Sequence, residues 1–343
     1  MKRQLAALLL TIFALSLTAC GETAAESETR TVYAMDTVMN LTVYGENAAA
    51  ALESAEKELH TLDEAVLSRT AEGSELYALN ASNGETVECG ADDILPALIE
   101  TALTISDATD GAFDPTLAPV LDAWGFTKDE HRVPSADELK ELLSHTGCGK
   151  VALEKTADGW TVTLLDGAQL DLGGIAKGYA AGRVRTILRE AGVTSAIISL
   201  GGNVAAVGKK PDGSAWTVGL QDPDRPEAYF GTVSIEDACV VTSGAYQRYF
   251  EENGVCYHHI LDPHTGCPAE SGVKSVSVVA QDDTLADALS TALFVMGLDA
   301  GAELWNSSGL SFEAVFVTDD NTVWITPGLA GRYRSDRPYQ ILE

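Results

Sequence analysis

A carboxylate and a hydroxyl stand one helical turn apart in an apolar stretch of this 343-residue chain. Asp287 and Thr291 share one face of a predicted helix because they are four residues apart. The rest of that helix is apolar and includes Leu285, Ala286, Leu289, Ala292, Leu293, Phe294 and Met296. A carboxylate in such surroundings needs a partner, and a hard cation held by oxygen ligands would be one. The alternative is that Asp287 compensates the helix dipole while Thr291 bonds to its own backbone.

A glycine pair that precedes a second predicted helix suits the approach of a phosphate. The segment Asp171 to Tyr179 reads DLGGIAKGY, and a predicted strand ends at Leu172 before the glycines. Backbone N–H groups at a helix start carry partial positive charge, and glycine lets a ligand approach the backbone closely. Lys177 adds a full charge in the first turn. Neither a GxGxxG nor a Walker motif is present, and a glycine pair in this position is more often an ordinary turn.

The segment HILDPHTG, residues 259–266, places acid–base groups in a proline turn. His259 is the first candidate for a general base because an imidazole titrates near neutral pH. Asp262 is the second candidate, either as the base or as the residue that orients His259. A solvated Asp-Pro turn without a catalytic role is the alternative.

Helices and short strands must position these segments. Hydrophobic periodicity predicts long helices over residues 48–66, 91–109, 175–191 and 285–297. Strands rich in β-branched and aromatic residues are predicted at 31–44, 196–200, 215–220, 231–235, 273–280, 312–317 and 322–325, with a hairpin over 151–172. Because the strands and helices do not alternate in a regular βαβ order, we expect an α+β fold.

The N-terminal segment predicts export and a lipid anchor. A basic start precedes the apolar run Leu5 to Leu17, which is short for a membrane span. Leu17-Thr18-Ala19-Cys20 matches the bacterial lipobox, whose cysteine receives acyl chains such as palmitate and becomes the mature N-terminus. We therefore expect a protein held at the outer face of the cell membrane, with a lipoprotein signal peptide at 1–19, a polar tether at 20–30 and a folded domain at 31–343.

The charge balance restricts the partners. The chain carries 22 basic and 51 acidic side chains, a net charge of −29. Such a surface repels nucleic acid and anionic membranes, so we expect no nucleic-acid partner and membrane contact through the lipid anchor only. A phosphate must then be bound locally, by a metal, a few lysines or a helix start.

The order of the motifs is more specific than any one of them. The chain contains, in succession, Met35-Asp-Thr37, SELYALN (74–80), GAFDPT (111–116), DLGGIAKGY (171–179), GGN (201–203), TSG (242–244), HILDPHTG (259–266) and DALSTALFVMG (287–297). This succession resembles the ApbE family, the flavin transferases also called FAD:protein FMN transferases, over residues 32–325. The resemblance implies an ApbE-like α+β fold, related to the T-fold, with FAD in a cleft between two sub-regions.

The resemblance also implies roles for individual residues. FAD contacts are implied for Met35, Ala112, Phe113, Asp114, Asp171, Lys177 and Leu261, and both Leu261 and His259 fall in the loop beside the isoalloxazine and pyrophosphate. The magnesium ligands implied are the Gly174 carbonyl and the side chains of Asp287 and Thr291. Asp36 is a departure, since many members of the family have glycine beside the flavin-contacting methionine.

The implied activity is Mg²⁺-dependent transfer of FMN from FAD to a serine or threonine hydroxyl of an acceptor protein, with release of AMP. The implied acceptor is an FMN-binding domain of an exported or membrane redox protein. With water as the nucleophile, the same site would make the protein an FAD pyrophosphatase that yields FMN and AMP. A lipoprotein that binds flavin without chemistry is a further alternative, although simple capture would not require Asp287, Thr291 and Lys177.

The lipobox leads to a direct test at Cys20. We expect Cys20→Ser to accumulate as an unlipidated precursor, because the acyl chains are attached to the thiol and the serine hydroxyl does not replace it. Detergent-phase partitioning of membrane extracts measures the loss. Equal partitioning of the variant and the wild type would contradict the lipid anchor.

Overall fold

The protein is described by a computed structural model that covers residues 26–126 and 130–343. Seven α-helices occur in this part of the chain: α1 (Ala48–Thr61), α2 (Glu75–Asn80), α3 (Ile94–Ala108), α4 (Ala118–Trp124), α5 (Ala136–Leu143), α6 (Ala176–Glu190) and α7 (Asp283–Ser307). A π-helical segment, Leu62–Leu67, continues α1 directly. The predicted signal peptide and Cys20 lie outside the described residues.

Most of the strands form one large antiparallel sheet. The strands are β1 (Ser27–Ala34), β2 (Thr37–Tyr44), β3 (Val87–Gly90), β4 (Val151–Lys155), β5 (Gly159–Leu164), β6 (Ser195–Leu200), β7 (Asn203–Gly208), β8 (Trp216–Asp222), β9 (Arg225–Ile235), β10 (Cys239–Gly244), β11 (Tyr249–Glu252), β12 (Val255–His258), β13 (Val273–Ala280), β14 (Phe312–Thr318), β15 (Val323–Ile325), β16 (Tyr333–Arg334) and β17 (Tyr339–Ile341). The large sheet has the order β1-β2-β6-β7-β10-β13-β14-β15-β17, and only its β15–β17 pair is parallel. Smaller sheets are β16-β9-β8, β3-β5-β4 and the hairpin β11–β12. The predicted α+β class is confirmed.

Both faces of the large sheet are covered, by different layers. Val278 packs into a core shared with α1, α6 and α7. Its neighbour Val279 points to the other face and packs into a core shared with β8 and β9. This alternation follows from the two-residue period of a strand. The helices therefore form one outer layer and the small sheet β16-β9-β8 forms the other.

The N-terminal strand prediction needs two corrections. Residues 31–44 form a hairpin rather than one strand, because Met35 and Asp36 turn the chain between β1 and β2. The predicted tether also ends too late, since Ser27 to Arg30 already belong to β1. Their polar side chains resemble a linker in composition, yet Thr29 bonds to Thr42 of β2 at 3.1 Å and Arg30 pairs with Glu56 of α1.

A third, smaller core lies beside the main body. It contains Leu117, Val120, Trp124, Leu139 and Leu261 and thereby joins α4, α5 and the HILDPHTG loop. The Trp124 indole N–H donates to the Gly266 carbonyl at 2.7 Å, which fixes the loop against α4. The main body and this smaller core are the two sub-regions that the family resemblance implies.

Helices α6 and α7 approach each other closely at Gly178. A Cβ at this position would overlap the Asp283 carbonyl oxygen and would lie 2.6 Å from the Asp287 Cβ. Two turns further along α6, the buried Arg185 guanidinium pairs with Asp283 at 2.6 Å and donates to the Gln281 carbonyl at 3.0 Å. A buried ion pair with an additional hydrogen bond fixes the relative position of the two helices.

Helix α7 is longer than the predicted 285–297 segment and is kinked at Gly297, where φ is 77°. The Ser271 hydroxyl donates to the Phe294 carbonyl, which accounts for the interrupted helical ladder at the kink. Among the described residues, α7 is the one helix long and apolar enough to cross a membrane. Its buried side chains, including Leu289, Leu293 and Phe294, pack in the main core, so we interpret it as a core helix.

The close approach at Gly178 predicts opposite effects of two Gly→Ala substitutions in α6. Gly178→Ala should lower the free energy of unfolding by about 1–3 kcal/mol, because the new methyl group overpacks the interface. Gly182→Ala should be neutral or raise it by up to about 1 kcal/mol, since alanine favours a helix and its Cβ would meet Asp283 at an ordinary 3.7 Å. Urea denaturation measures both. Equal stability of the two variants would contradict the close packing.

Candidate active site

A cleft of about 1010 Å³ opens between the two sub-regions. It is large enough for an extended ligand, since ligand pockets typically measure about 300–1,000 Å³. Eleven of the predicted site residues line it: Met35, Ala112, Phe113, Asp114, Asp171, Gly174, Lys177, His259, Leu261, Asp287 and Thr291. The structure therefore brings together residues that are spread over most of the chain.

Met35 reaches the cleft from the tight turn between β1 and β2. Met35 and Asp36 have φ values of 50° and 56°, and Ala34 pairs directly with Thr37. A two-residue turn with both central residues at positive φ favours glycine, and aspartate is among the side chains that tolerate it. Aspartate at position 36 is therefore compatible with this two-residue turn.

Asp171 holds the loop that leads to α6. Its Oδ1 accepts the Gly173 N–H at 2.7 Å, and its Oδ2 lies 3.1 Å from the Arg69 Nε. Arg69 also pairs with Asp122 of α4, so one guanidinium joins this loop to the smaller sub-region. Arg69 lines the cleft and was missed by the sequence analysis. No local motif identifies it, because both of its partners are distant in sequence.

The start of α6 is bonded to a protein carboxylate. The Gly178 N–H donates to Asp287 Oδ2 at 2.7 Å. The Gly178 N–H is therefore not available to a phosphate, and the phosphate site predicted at Gly173 to Lys177 stays a prediction. The Lys177 side chain remains beside the cleft, where its ammonium donates to the Gly173 carbonyl at 3.2 Å.

Asp287 is a buried carboxylate in an electrostatically mixed setting. Burial raises its pKa, while the Lys177 charge and the hydrogen bond from Gly178 oppose that rise. The Asn203 amide also approaches the carboxylate and favours its charged form, although its Nδ2 makes no hydrogen bond of normal geometry with a described residue. A cation at this carboxylate would favour the charged form further.

Three hydroxyl oxygens lie close together, and two of them belong to the helical turn that follows Asp287. Ser243 Oγ lies 2.8 Å from Ser290 Oγ and 3.5 Å from Thr291 Oγ1. Thr291 Oγ1 in turn lies 3.6 Å from where a Cβ on Gly174 would stand, which places the two predicted ligands side by side. Carboxylate, hydroxyl and carbonyl oxygens are the ligands that magnesium accepts, so these residues fit that ion.

A metal site built from several acidic or imidazole side chains would differ from the one predicted here. Groups of three or more His, Cys, Asp or Glu side chains that could hold a metal do not occur within residues 26–126 and 130–343. Asp287 is the single carboxylate of the set predicted here. Such a set leaves coordination positions for substrate phosphates and water, as magnesium sites commonly do.

Asp114 and Phe113 also line the cleft. Asp114 Oδ1 accepts the Thr116 N–H at 2.8 Å and the Thr116 hydroxyl at 2.6 Å, so this carboxylate stabilises its own turn as well as lining the cleft. Phe113 is buried, and its ring lies 3.1 Å from where a Cβ on Gly174 would stand. A side chain at position 174 would therefore press against this ring.

His259 is held in one tautomer by the backbone. Its Nδ1 lies 3.1 Å from the Arg248 carbonyl, and its backbone N–H donates to the same oxygen at 3.1 Å. Because a carbonyl only accepts, Nδ1 carries the hydrogen and Nε2 is left with a free lone pair. Burial lowers the pKa of His259 to about 4, and the charges of Arg248 and Lys177 contribute. The expectation that His259 titrates near neutral pH is therefore wrong for the ligand-free protein.

Asp262 does not have the orienting role proposed for it. It is absent from the residues that line the cleft. Its carboxylate accepts the His264 N–H at 2.9 Å and the Thr265 hydroxyl at 3.1 Å, while the orienting partner of His259 is the Arg248 carbonyl. An aspartate before a proline turn is used here to close that turn. The prediction that Asp262 orients His259 is therefore wrong, because the Arg248 carbonyl does so.

The fold and the cleft together define a mixed α/β protein that arranges a buried carboxylate, hydroxyls, cations and a neutral imidazole around one large cavity. The family model described as the ApbE family matches residues 35–316, and the chain belongs to the ApbE family. A relative from Treponema pallidum named FAD:protein FMN transferase is 38% identical over 335 residues, which is 92% of this chain and 91% of the relative. A relative of the same name from Klebsiella pneumoniae is 36% identical over 249 residues, 72% of this chain and 76% of the relative.

Solved structures agree with this assignment. The ApbE protein from Thermotoga maritima has a TM-score of 0.82 and 34% sequence identity, and the match covers 90% of this chain and 100% of that one. The flavin transferase ApbE from Vibrio cholerae has a TM-score of 0.78 at 25% identity, with 90% and 99% of the two chains covered. The ApbE-like fold is therefore confirmed.

The environment of His259 predicts an acidic titration midpoint. In the ligand-free protein, the His259 ring should titrate near pH 4, so it stays neutral at pH 5 to 6, where an ordinary histidine becomes charged. Proton NMR across pH 3.5 to 8 measures this, and comparison with His259→Asn assigns the resonance. A midpoint above 6 would contradict the buried, cation-flanked environment.

Proposed function

We propose that this enzyme transfers FMN from FAD to a serine or threonine hydroxyl of an acceptor protein and releases AMP. The observation that carries the proposal is the convergence of Asp287, Thr291, Lys177 and a neutral His259 in one cleft. A pyrophosphate needs positive charge on both of its phosphates, and a hydroxyl nucleophile needs a base beside it. The names of the relatives from Treponema pallidum and Klebsiella pneumoniae support the same transfer.

The reaction balances as a phosphoryl transfer. The acceptor oxygen forms a bond to the FMN phosphorus, and the bond from that phosphorus to the bridging oxygen breaks. AMP leaves with the bridging oxygen and its electron pair, and the hydroxyl proton passes to a base. The product is a phosphoester between FMN and the acceptor protein.

His259 Nε2 is the nitrogen available to take that proton, because Nδ1 donates to the Arg248 carbonyl. A neutral imidazole is already in the basic form, so no proton must first be lost at neutral pH. Its low pKa makes it a weak base in the ligand-free protein. Negative phosphates in the cleft would offset the charges of Lys177 and Arg248 and raise that pKa toward the range suited to acid–base catalysis.

Magnesium is the metal that the oxygen ligands fit. Asp287, Thr291 and the Gly174 carbonyl would hold it, and the bound ion would neutralise charge on the pyrophosphate and polarise its phosphorus. Without such an ion, the Asp287 carboxylate would repel a pyrophosphate that enters the cleft. Lys177, which lies close enough to Asp287 to influence its pKa, would neutralise the AMP phosphate as it leaves.

The acceptor and the location are part of the proposal. The acceptor is an FMN-binding domain of an exported or membrane redox protein, which the family resemblance supports. The protein is anchored outside the cytoplasm through lipid on Cys20, which the lipobox supports. An acceptor of this kind would share the same membrane surface as the enzyme.

The metal assignment predicts the effect of Asp287→Asn. The asparagine oxygen still accepts the Gly178 N–H, so the variant should fold, but it removes the charge that binds the cation. AMP release from FAD should fall by about 10²–10³-fold, because a Lewis acid contributes several kcal/mol. Asp299→Asn, at an exposed position on the same helix, should behave as the wild type.

The same assay distinguishes the proposed transfer from its alternatives. AMP together with in-gel flavin fluorescence of the acceptor indicates transfer, whereas AMP with free FMN indicates a pyrophosphatase. Binding of FAD without AMP indicates a flavin-binding protein. Normal turnover by Asp287→Asn at limiting magnesium, or by the wild type with excess chelator, would disprove the metal assignment.

A further inference from the structure

Arg248 is a cation of the cleft that the fold leaves without a partner. Three cationic side chains of the described residues line the cleft: Arg69, Lys177 and Arg248. Arg69 is neutralised by Asp122 and Asp171. The Arg248 guanidinium makes no hydrogen bond, ion pair or ring contact with any residue in 26–126 or 130–343. An arginine that faces a cavity with all five of its N–H donors unused is suited to bind a planar or tetrahedral anion.

The backbone of Arg248 is fixed even though its side chain is free. It stands immediately before β11, and His259 follows β12, so the two residues meet at the base of this hairpin. The Arg248 carbonyl accepts both the backbone N–H and the Nδ1–H of His259 at 3.1 Å. Because the backbone is fixed there, the Arg248 guanidinium can reach only a limited region around the His259 ring.

The charges that act on the His259 ring are all positive. They come from Arg248, Lys177 and His258, and no carboxylate is among them. The Lys177 charge acts on Asp287, whereas Arg248 forms no ion pair with a carboxylate of the described residues. A positive region without a compensating acid favours a negative ligand.

We infer that Arg248 is a catalytic residue that binds the phosphate on the FMN side of the FAD pyrophosphate. This inference rests on the proposed function and assigns the two cations to different phosphates. His259 must lie beside the phosphorus under attack, because it takes the proton of the attacking hydroxyl. Arg248 shares that position through its backbone contacts with His259. The charge of Lys177 acts on Asp287 as well as on His259, and we assign this lysine to the AMP phosphate.

The guanidinium would act on the non-bridging oxygens of the attacked phosphorus. Negative charge on these oxygens is shared with the entering and leaving oxygens during transfer, and a two-pronged donor stabilises it without moving a proton. The acceptor proton still goes to His259 and the bridging oxygen still leaves with AMP. Arg248 therefore adds charge stabilisation to the reaction and changes none of its bonds.

The assignment to one phosphate is tested by ligand binding without any turnover. Isothermal titration of the wild type and Arg248→Gln with FMN, AMP and riboflavin separates the two phosphates. We expect Arg248→Gln to weaken FMN binding by about tenfold or more, the scale of a lost charge-assisted contact, and to leave AMP and riboflavin unchanged. Lys177→Gln should weaken AMP binding instead. Arg189→Gln, a half-exposed arginine outside the cleft, is the matched control.

The catalytic part is tested by kinetics with FAD and an acceptor. Arg248→Gln should lower kcat by about 10²–10³-fold, the typical cost of one lost donor to a developing charge. Arg248→Lys should retain part of the rate, because lysine keeps the positive charge but cannot donate two parallel hydrogen bonds. In the ligand-free protein, Arg248→Gln should also raise the NMR titration midpoint of His259, and Arg189→Gln should not.

Three results would overturn the inference. These are a loss of AMP affinity in place of FMN affinity, a wild-type kcat in Arg248→Gln, or a change confined to the KM for the acceptor, which would assign Arg248 to the partner protein. If wild-type enzyme releases no AMP from FAD, the proposed function fails instead. The FMN, AMP and riboflavin titrations then still decide whether Arg248 binds this phosphate.

Discussion

The contact between the buried Asp287 carboxylate of α7 and the first turn of α6 is the constraint on which both the fold and the cleft depend. The Lys177 charge, the Gly178 N–H and the positive end of the α6 dipole offset the cost of burying the Asp287 carboxyl group in the α6–α7 interface. The missing Cβ of Gly178 allows the two helices to approach closely enough for this bond. The same carboxylate lines the cleft, so packing of the helix pair and recognition of a cation depend on one side chain.

The charges of the cleft lie on two sides, and the Lys177 charge acts on both. Asp287 and the hydroxyls of Ser243 and Thr291 form an oxygen-rich side, while Arg248 flanks a neutral His259 on another. A pyrophosphate could not lie against the carboxylate alone because like charges would repel it. A diphosphate bound together with a divalent cation satisfies both sides, which is why the local arrangement overrides a net charge of −29.

Two aspartates of the predicted motifs bond to the backbone of their own turns. Asp262 closes the HILDPHTG turn, and Asp114 holds the turn that presents Phe113 to Gly174. Both uses follow from the short aspartate side chain, which reaches backbone N–H groups two residues ahead. The position of His259 therefore depends on bonds within turns that do not themselves take part in the reaction. The Trp124 indole N–H donates to the Gly266 carbonyl and so attaches the HILDPHTG turn to the smaller core.

The amino-acid sequence determined the α+β class and the succession of motifs, because helical and strand periodicities and local motifs are encoded over short distances. The eleven predicted residues that line the cleft were implied by the resemblance to the ApbE family that this succession carries. It could not show that residues 31–44 fold back at Met35 and Asp36, since the hydrophobic pattern continues through the turn. The pairing of Arg69 with Asp171, the free guanidinium of Arg248 and the low pKa of His259 were decided by tertiary structure alone. Each depends on burial and on charges that are distant in sequence, and these quantities exist only after the chain has folded.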